Sequence, residues 1–167
     1  MSRLLVLLNR LKAEARHDWL TESQAATLSE IERLWRFPER INLYGPPGAG
    51  KTFLAWSVAR ALNAVYYPSA RVYHIASVRD QARVVIDNAP DDVVALRRLL
   101  AALQLNKART ALMITAQPGR LGLPAVGLPV PTPQDVDTIY RNLSLLDYYA
   151  LNPAYDANLW VVVMQVL

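Results

Sequence analysis

Gly45-Pro46-Pro47-Gly48-Ala49-Gly50-Lys51-Thr52 fits the pattern G-x-x-x-x-G-K-[ST], a spacing made for holding phosphate. Glycines at 45, 48 and 50 let the backbone wrap so that successive N–H groups converge on phosphate oxygens. Lys51 adds a mobile point charge for the β and γ phosphates, and the Thr52 hydroxyl is a hard ligand suited to Mg²⁺. The flanks agree. Ile41-Asn42-Leu43-Tyr44 predicts a short buried strand, and residues 53–62 predict a helix apolar at 54, 58, 61 and 62. Such a helix aims its positive amino end at the same anion. Gly45, Pro46, Pro47, Gly48, Ala49, Gly50, Lys51, Thr52 and Phe53 are therefore the candidate nucleotide-binding residues. An ordinary Gly/Pro turn is the bland alternative.

The chain has 167 residues, 53% of them hydrophobic, enough for one domain with a sizeable core. Its longest apolar run, residues 159–164, falls far short of the ~18 residues of a membrane span. The apolar stretch Leu4-Leu5-Val6-Leu7-Leu8 lacks a small-residue cleavage site and is followed at once by Arg10 and Lys12, unlike a secretion signal. There is no cysteine, which excludes disulfides and thiolate metal sites. A cytoplasmic protein without a membrane partner is expected. An apolar run stopping at Leu167 is consistent with a fragment or with a surface closed by another chain.

Net charge is +4, unevenly spread: seven basic and six acidic groups in 1–40, ten and four in 41–120, one and four in 121–167. The phosphate-loop segment is thus the basic one, suited to a polyanionic ligand, a nucleic acid or an acidic neighbour. A merely solvated arginine-rich surface is the alternative.

In chain order, residues 2–17 predict a helix with Leu4, Leu7, Leu8 and Leu11 on one face. Thr21-Glu22-Ser23-Gln24 predicts the capped start of a second helix over 22–35. Trp35 and Phe37 are core candidates, with contact to an adenine as the other reading. Residues 71–75 predict a second strand, with 65–67 an extension or a separate piece, and 83–88 a third. Asp91 and Asp92 sit at the mouth of a helix running to about 105. Residues 110–115 predict a fourth strand. The proline- and glycine-rich stretch 118–133 excludes a helix and leaves a short fifth strand over 125–130. Thr132 and Pro133 then open another helix. A last element begins near Asn152-Pro153, with 159–163 legible as strand or helix. The alternation predicts an α/β fold with a parallel sheet covered on both faces.

On GPPGAGKT, on Val84-Val85-Ile86-Asp87-Asn88 and on Ile114-Thr115-Ala116-Gln117, residues 40–145 resemble the AAA+ and STAND branches of the P-loop ATPases. That resemblance implies a three-layer P-loop NTPase core with sheet order 5-1-4-3-2, and ATP with Mg²⁺ at its carboxyl edge. It divides the chain into an N-terminal helical segment (1–38), the core (39–131) and a short or truncated C-terminal helical lid (132–167). It implies Asp87 as the acid that joins Thr52 at the metal, and Gln117 as a polar sensor of the γ phosphate. Val126 to Pro131 followed by a helix is similar to the last core strand leading into a lid.

Two departures stand out. Asn88 occupies the place where these enzymes have a water-orienting glutamate, and an amide cannot take a proton, so slow hydrolysis is expected. Asp91 and Asp92 are the nearest carboxylates. No lid arginine is evident, Arg141 being the only basic residue after Arg120. Arg120 is the first choice for an arginine finger in a neighbour's site, then Arg97, Arg98 and Arg109.

His17 and His74 show no metal spacing and are read as structural. Ser57, Ser69 and Ser77 lack a nucleophile elbow. Tyr148, Tyr149 and Tyr155 lie in acidic surroundings and are read as core or interface. The leading expectation is a nucleotide-dependent switch or assembly module, homo-oligomeric or bound to a protein partner, with slow or partner-stimulated ATPase activity. A DNA-associated ATPase and a non-hydrolysing nucleotide-binding scaffold are the alternatives. A small-molecule kinase fits less well, for want of a lid and clustered acceptor-site arginines.

Overall fold

The computed structural model describes residues 2–76, 81–119 and 121–167. Five strands form one parallel sheet: β1 (Arg40–Tyr44), β2 (Val65–Tyr67), β3 (Arg83–Ile86), β4 (Thr110–Thr115) and β5 (Ala125–Gly127). They lie in the order β2-β3-β4-β1-β5, which is the expected 5-1-4-3-2. Leu43 pairs with Ile114 on one side and Val126 on the other, and Val85 lies between Tyr66 and Leu112.

Alternation along these strands feeds two cores. Ile41, Leu43, Val85, Leu112 and Ile114 face α2 (Glu22–Trp35) and α3 (Lys51–Ala61), meeting Leu28, Ile31, Leu54 and Val58. Val84, Ile86, Ala111 and Met113 face the other way, toward α4 (Ala70–Ala76) and α5 (Val93–Leu105), meeting Tyr73, Leu96, Leu99 and Leu103. Fully burying such aliphatic side chains contributes about 1.5–3 kcal/mol each.

A third cluster stands apart from the sheet. α1 (Arg3–Ala13) and the 3₁₀ turn His17–Trp19 bring Leu7 and Trp19 against Leu143 and Leu146, which belong to or follow α6 (Pro133–Ser144). Val163 of α7 (Leu159–Met164) completes it. The two ends of the chain thus build one helical roof. Asn142 Nδ2 donates to Trp19 O at 2.9 Å, and Arg10 donates to Leu146 O at 2.9 Å.

Helix starts follow their caps. Thr21 and Gln24 make a reciprocal capping box at α2, and Thr132 and Asp135 make another at α6 with Pro133 in the first turn. Asp92 caps α5 through Ala95 N at 2.8 Å.

Several boundaries differ from expectation: the third strand ends at Ile86 rather than 88 and the fifth at Gly127 rather than 130. Residues 71–75 are not a strand but lie in α4, because Ser69 starts a helix there: its hydroxyl accepts from Val72 N and its carbonyl from Tyr73 N. The edge position beside β3 is filled by Val65–Tyr67 instead. Residues 159–164 are helical, capped by Asn158 rather than opened at Asn152. The first helix ends at Ala13, short of residue 17. Among the described residues no helix is long and apolar enough to cross a membrane.

Candidate functional site

Residues 45–50 leave the carboxyl end of β1, and Lys51 and Thr52 begin α3. Gly48 (φ +78°) and Gly50 (φ +87°) hold left-handed backbone that side-chain-bearing residues resist. The Lys51 ammonium donates to the loop's own carbonyls, Gly45 O at 2.7 Å and Pro46 O at 2.8 Å. Burial lowers its pKa below the ordinary lysine value, against the opposing pull of Asp87 and Asp91.

Asp87 stands immediately after β3 and is 3% exposed. Its Oδ2 accepts from Thr52 Oγ1 at 2.8 Å and from the Tyr66 hydroxyl at 3.1 Å, while Oδ1 accepts from Asn88 N at 2.9 Å. Burial, and then the neighbouring Asp87 charge, push the Tyr66 hydroxyl above the usual phenol range, so it stays a donor. Thr52 and Asp87 therefore place a hydroxyl and a carboxylate side by side. Hard oxygens of that kind fit Mg²⁺, which keeps most of its shell as water and substrate phosphate and needs only one or two protein ligands. Among the described residues no larger cluster of His, Asp or Glu gathers for a metal.

The other expected site residues separate. Asn88 takes left-handed backbone (φ +46°), and its side-chain amide donates to Pro68 O at 3.0 Å. Asp91 lines the cleft and accepts from Ala116 N at 3.2 Å, whereas Asp92 serves as the helix cap. Gln117 is exposed, and it is Thr115 and Ala116, at the end of β4, that line the cleft. The buried Thr115 hydroxyl accepts from Asn42 Nδ2 at 2.8 Å, tying β1 to β4 just below the site. Arg97 and Arg98 are exposed on α5, and Arg109 precedes β4 at the opposite edge of the sheet. Arg120 lies outside the described residues.

Above the loop the cleft opens to about 590 Å³. Part of its lining is polar (Lys51, Thr52, Asp87, Thr115). Another part is an apolar chamber of Leu11, Trp19, Phe53, Trp56, Ile139 and Leu143. Phe53 meets Trp56 edge-on at 6.4 Å, and Trp56 meets Tyr66 at 6.3 Å, so an aromatic wall runs from chamber to carboxylate. Trp35 belongs instead to the core at 4% exposed, and Phe37 is 62% exposed; neither lines the cleft. Sequence reasoning missed Trp19 and Ile139 because only the long-range roof contacts bring them here.

The roof also touches the loop. Leu159 N donates to Gly48 O at 2.8 Å, and a Cβ on Gly48 would fall 2.0 Å from Asn158 Oδ1. Gln24 Nε2 approaches Gly50 O at 3.5 Å from the other side.

Residues 41–93 match the sequence model of the ATPase family associated with various cellular activities (AAA). Over 108 residues, 64% of this chain, the sequence is 27% identical to mitochondrial Lon protease homologs of Homo sapiens and Bos taurus, covering 11% of each. Over 109 residues it is 28% identical to the counterpart from Emericella nidulans, covering 9% of that protein. The matched region thus amounts to about a tenth of the length of these curated relatives.

Proposed function

We propose that this chain, whose core is that of an AAA+ P-loop NTPase, is a nucleotide-dependent switch in which ATP occupancy sets the position of the helical roof. The observation that carries this reading is the seat of α7 on the phosphate loop, through Leu159 N and Gly48 O at 2.8 Å. A ligand shifts a conformation only through differential contact with its two states. Phosphates held by the loop amides act on the same backbone that α7 grips, which supplies such contact.

In this reading Lys51 exchanges the carbonyls of Gly45 and Pro46 for the β and γ phosphates. Thr52 and Asp87 hold Mg²⁺, which neutralises phosphate charge when bound. The base lies in the chamber between Trp19, Phe53, Ile139 and Leu143, where apolar walls and ring faces suit an adenine. Residues 1–38 pack on a core spanning 39–131, and α1 with the turn at 17–19 joins residues 132–167 as its cover. Gln117, exposed just past the end of β4, and Arg120, Arg97, Arg98 or Arg109, reaching a neighbouring copy, serve in the assembled state.

Amide hydrogen exchange tests this. ATP with Mg²⁺ is expected to change protection across residues 159–164 in the parent protein and not in Lys51→Ala. A roof whose exchange ignores ATP while ATP binds would overturn the switch.

A DNA-associated ATPase is the second reading. One observation favours it: Arg83, Arg109 and Arg40 lie at the amino ends of three adjacent strands, the Arg40 guanidinium donating to the carbonyls of Arg109 and Ala108. Salt-sensitive DNA binding, lost on charge reversal at Arg83 and Arg109, is its signature.

A further inference from the structure

We propose that Asp91 is the base that accepts the proton of the attacking water when the bound triphosphate is hydrolysed. This rests on the nucleotide-site reading given above. A base must be free to receive a proton, and the site's hydrogen bonds sort its candidates. Asn88 is an amide, and its side chain is held against Pro68 O. Asp87 has both oxygens engaged, by Thr52 and Tyr66 on one and by Asn88 N on the other. Asp92 caps α5 and does not line the cleft. Asp91 alone among these carboxylates both lines the cleft and keeps an oxygen without a hydrogen bond to any described residue.

Its placement is fixed from two sides. Oδ1 accepts from Ala116 N at the carboxyl end of β4, and the chain from Asn88 to Asp92 returns across that same strand end through Ala89 N to Ile114 O at 2.8 Å. The carboxylate is near enough to Lys51 for its charge to act there. Asp91 and Lys51 line the same cleft, in which Lys51 would hold the γ phosphate.

The chemistry balances as follows. The water oxygen forms a bond to the γ phosphorus, and the bond from that phosphorus to the β–γ bridging oxygen breaks, its electron pair leaving on the nucleoside diphosphate. The water's proton passes to the open oxygen of Asp91 and from there to solvent, yielding inorganic phosphate.

Asp91→Asn keeps a carbonyl oxygen for Ala116 N and removes only the basicity. Expected is a fall in ATP turnover of about 100-fold, with ATP affinity and melting temperature unchanged. Nucleotide recovered from the incubated variant should be ATP, where the parent yields ADP. Asp92→Asn, which preserves a capping side chain, should turn over like the parent. Turnover by Asp91→Asn within about twofold of the parent would overturn the proposal. So would a loss matched by equal losses of affinity and melting temperature, or parent turnover no higher than Lys51→Ala. ATP binding by the parent, measured separately by titration, tells a failure of Asp91 from a failure of the nucleotide site itself.

Discussion

The carboxyl edge of the sheet and the helical roof above it hold their shapes by opposite means. At the edge, polar groups are tied by directed bonds over short reach: Thr52 and Tyr66 to Asp87, Asn42 to Thr115, Ala116 to Asp91. In the roof, Leu7, Trp19, Leu143, Leu146 and Val163 hold by burial, with Asn142 and Arg10 supplying the cross-links. Directed bonds fix where charge sits, which is what the proposed phosphate and metal site requires of the edge. Burial fixes only volume and shape, which is what the proposed switch requires of its roof. The two meet at Gly48, where Leu159 N reaches the loop, while Asp135 ties the roof helix α6 to α2.

Gly48→Ala attacks the meeting point and should have the largest effect. Its φ of +78° strains any side chain, and the new methyl would lie 2.0 Å from Asn158 Oδ1. About 3 kcal/mol of stability should be lost in chemical denaturation, with α7 released from the loop. A variant as stable as the parent would show that roof and loop are not joined there.

Asp135→Ala comes next. Asp135 accepts from Ser23 N and Oγ and from Thr132 N and Oγ1, so its removal leaves donors at two helix starts without a partner, a loss of about 2 kcal/mol. Burial would raise the carboxyl's pKa, but the bonds from Thr132 and Ser23 outweigh it and hold it at about 2, below the ordinary 3.8. A depressed folded pKa stabilises the fold above the unfolded value, and that contribution fades as pH falls from about 4 to about 2. Acid denaturation of the parent should show this component, and the variant should lack it. Identical acid limbs would remove the assignment.

The smallest effect belongs to Tyr66→Phe, which deletes one of the bonds to Asp87 Oδ2. Losing one such bond, about 1 kcal/mol, should weaken Mg²⁺-dependent ATP affinity about fivefold while leaving the roof's stability alone. Unchanged affinity would mean that Thr52 and Asn88 N suffice to orient the carboxylate.

The same contrast governs what the sequence disclosed. The edge is written in contiguous residues: the loop is one octapeptide, and Asp87 directly follows an apolar strand. Sheet order followed from the family pattern that those motifs carried. The roof is assembled from partners over 120 residues apart, such as Asn142 and Trp19, and no local periodicity announces such a pairing. Trp19 therefore carries no local sign of its place in the cleft, whereas Trp35 sits close before the first strand in sequence. The misread strand at 71–75 has a local cause. Val72, Tyr73 and Ile75 favour strands on propensity, but a single serine cap and an edge position already filled by residues 65–67 decide for helix.

The central claim is that the loop and Asp87 together hold a metal-bound triphosphate, and calorimetric titration with ATP tests it most directly. The parent should bind ATP more tightly with Mg²⁺ than with a chelator, by about tenfold or more. Asp87→Asn, which keeps the shape and removes the charge, should lose that difference. ATP affinity that is indifferent to Mg²⁺ in the parent, or equally Mg²⁺-dependent in Asp87→Asn, would contradict the account.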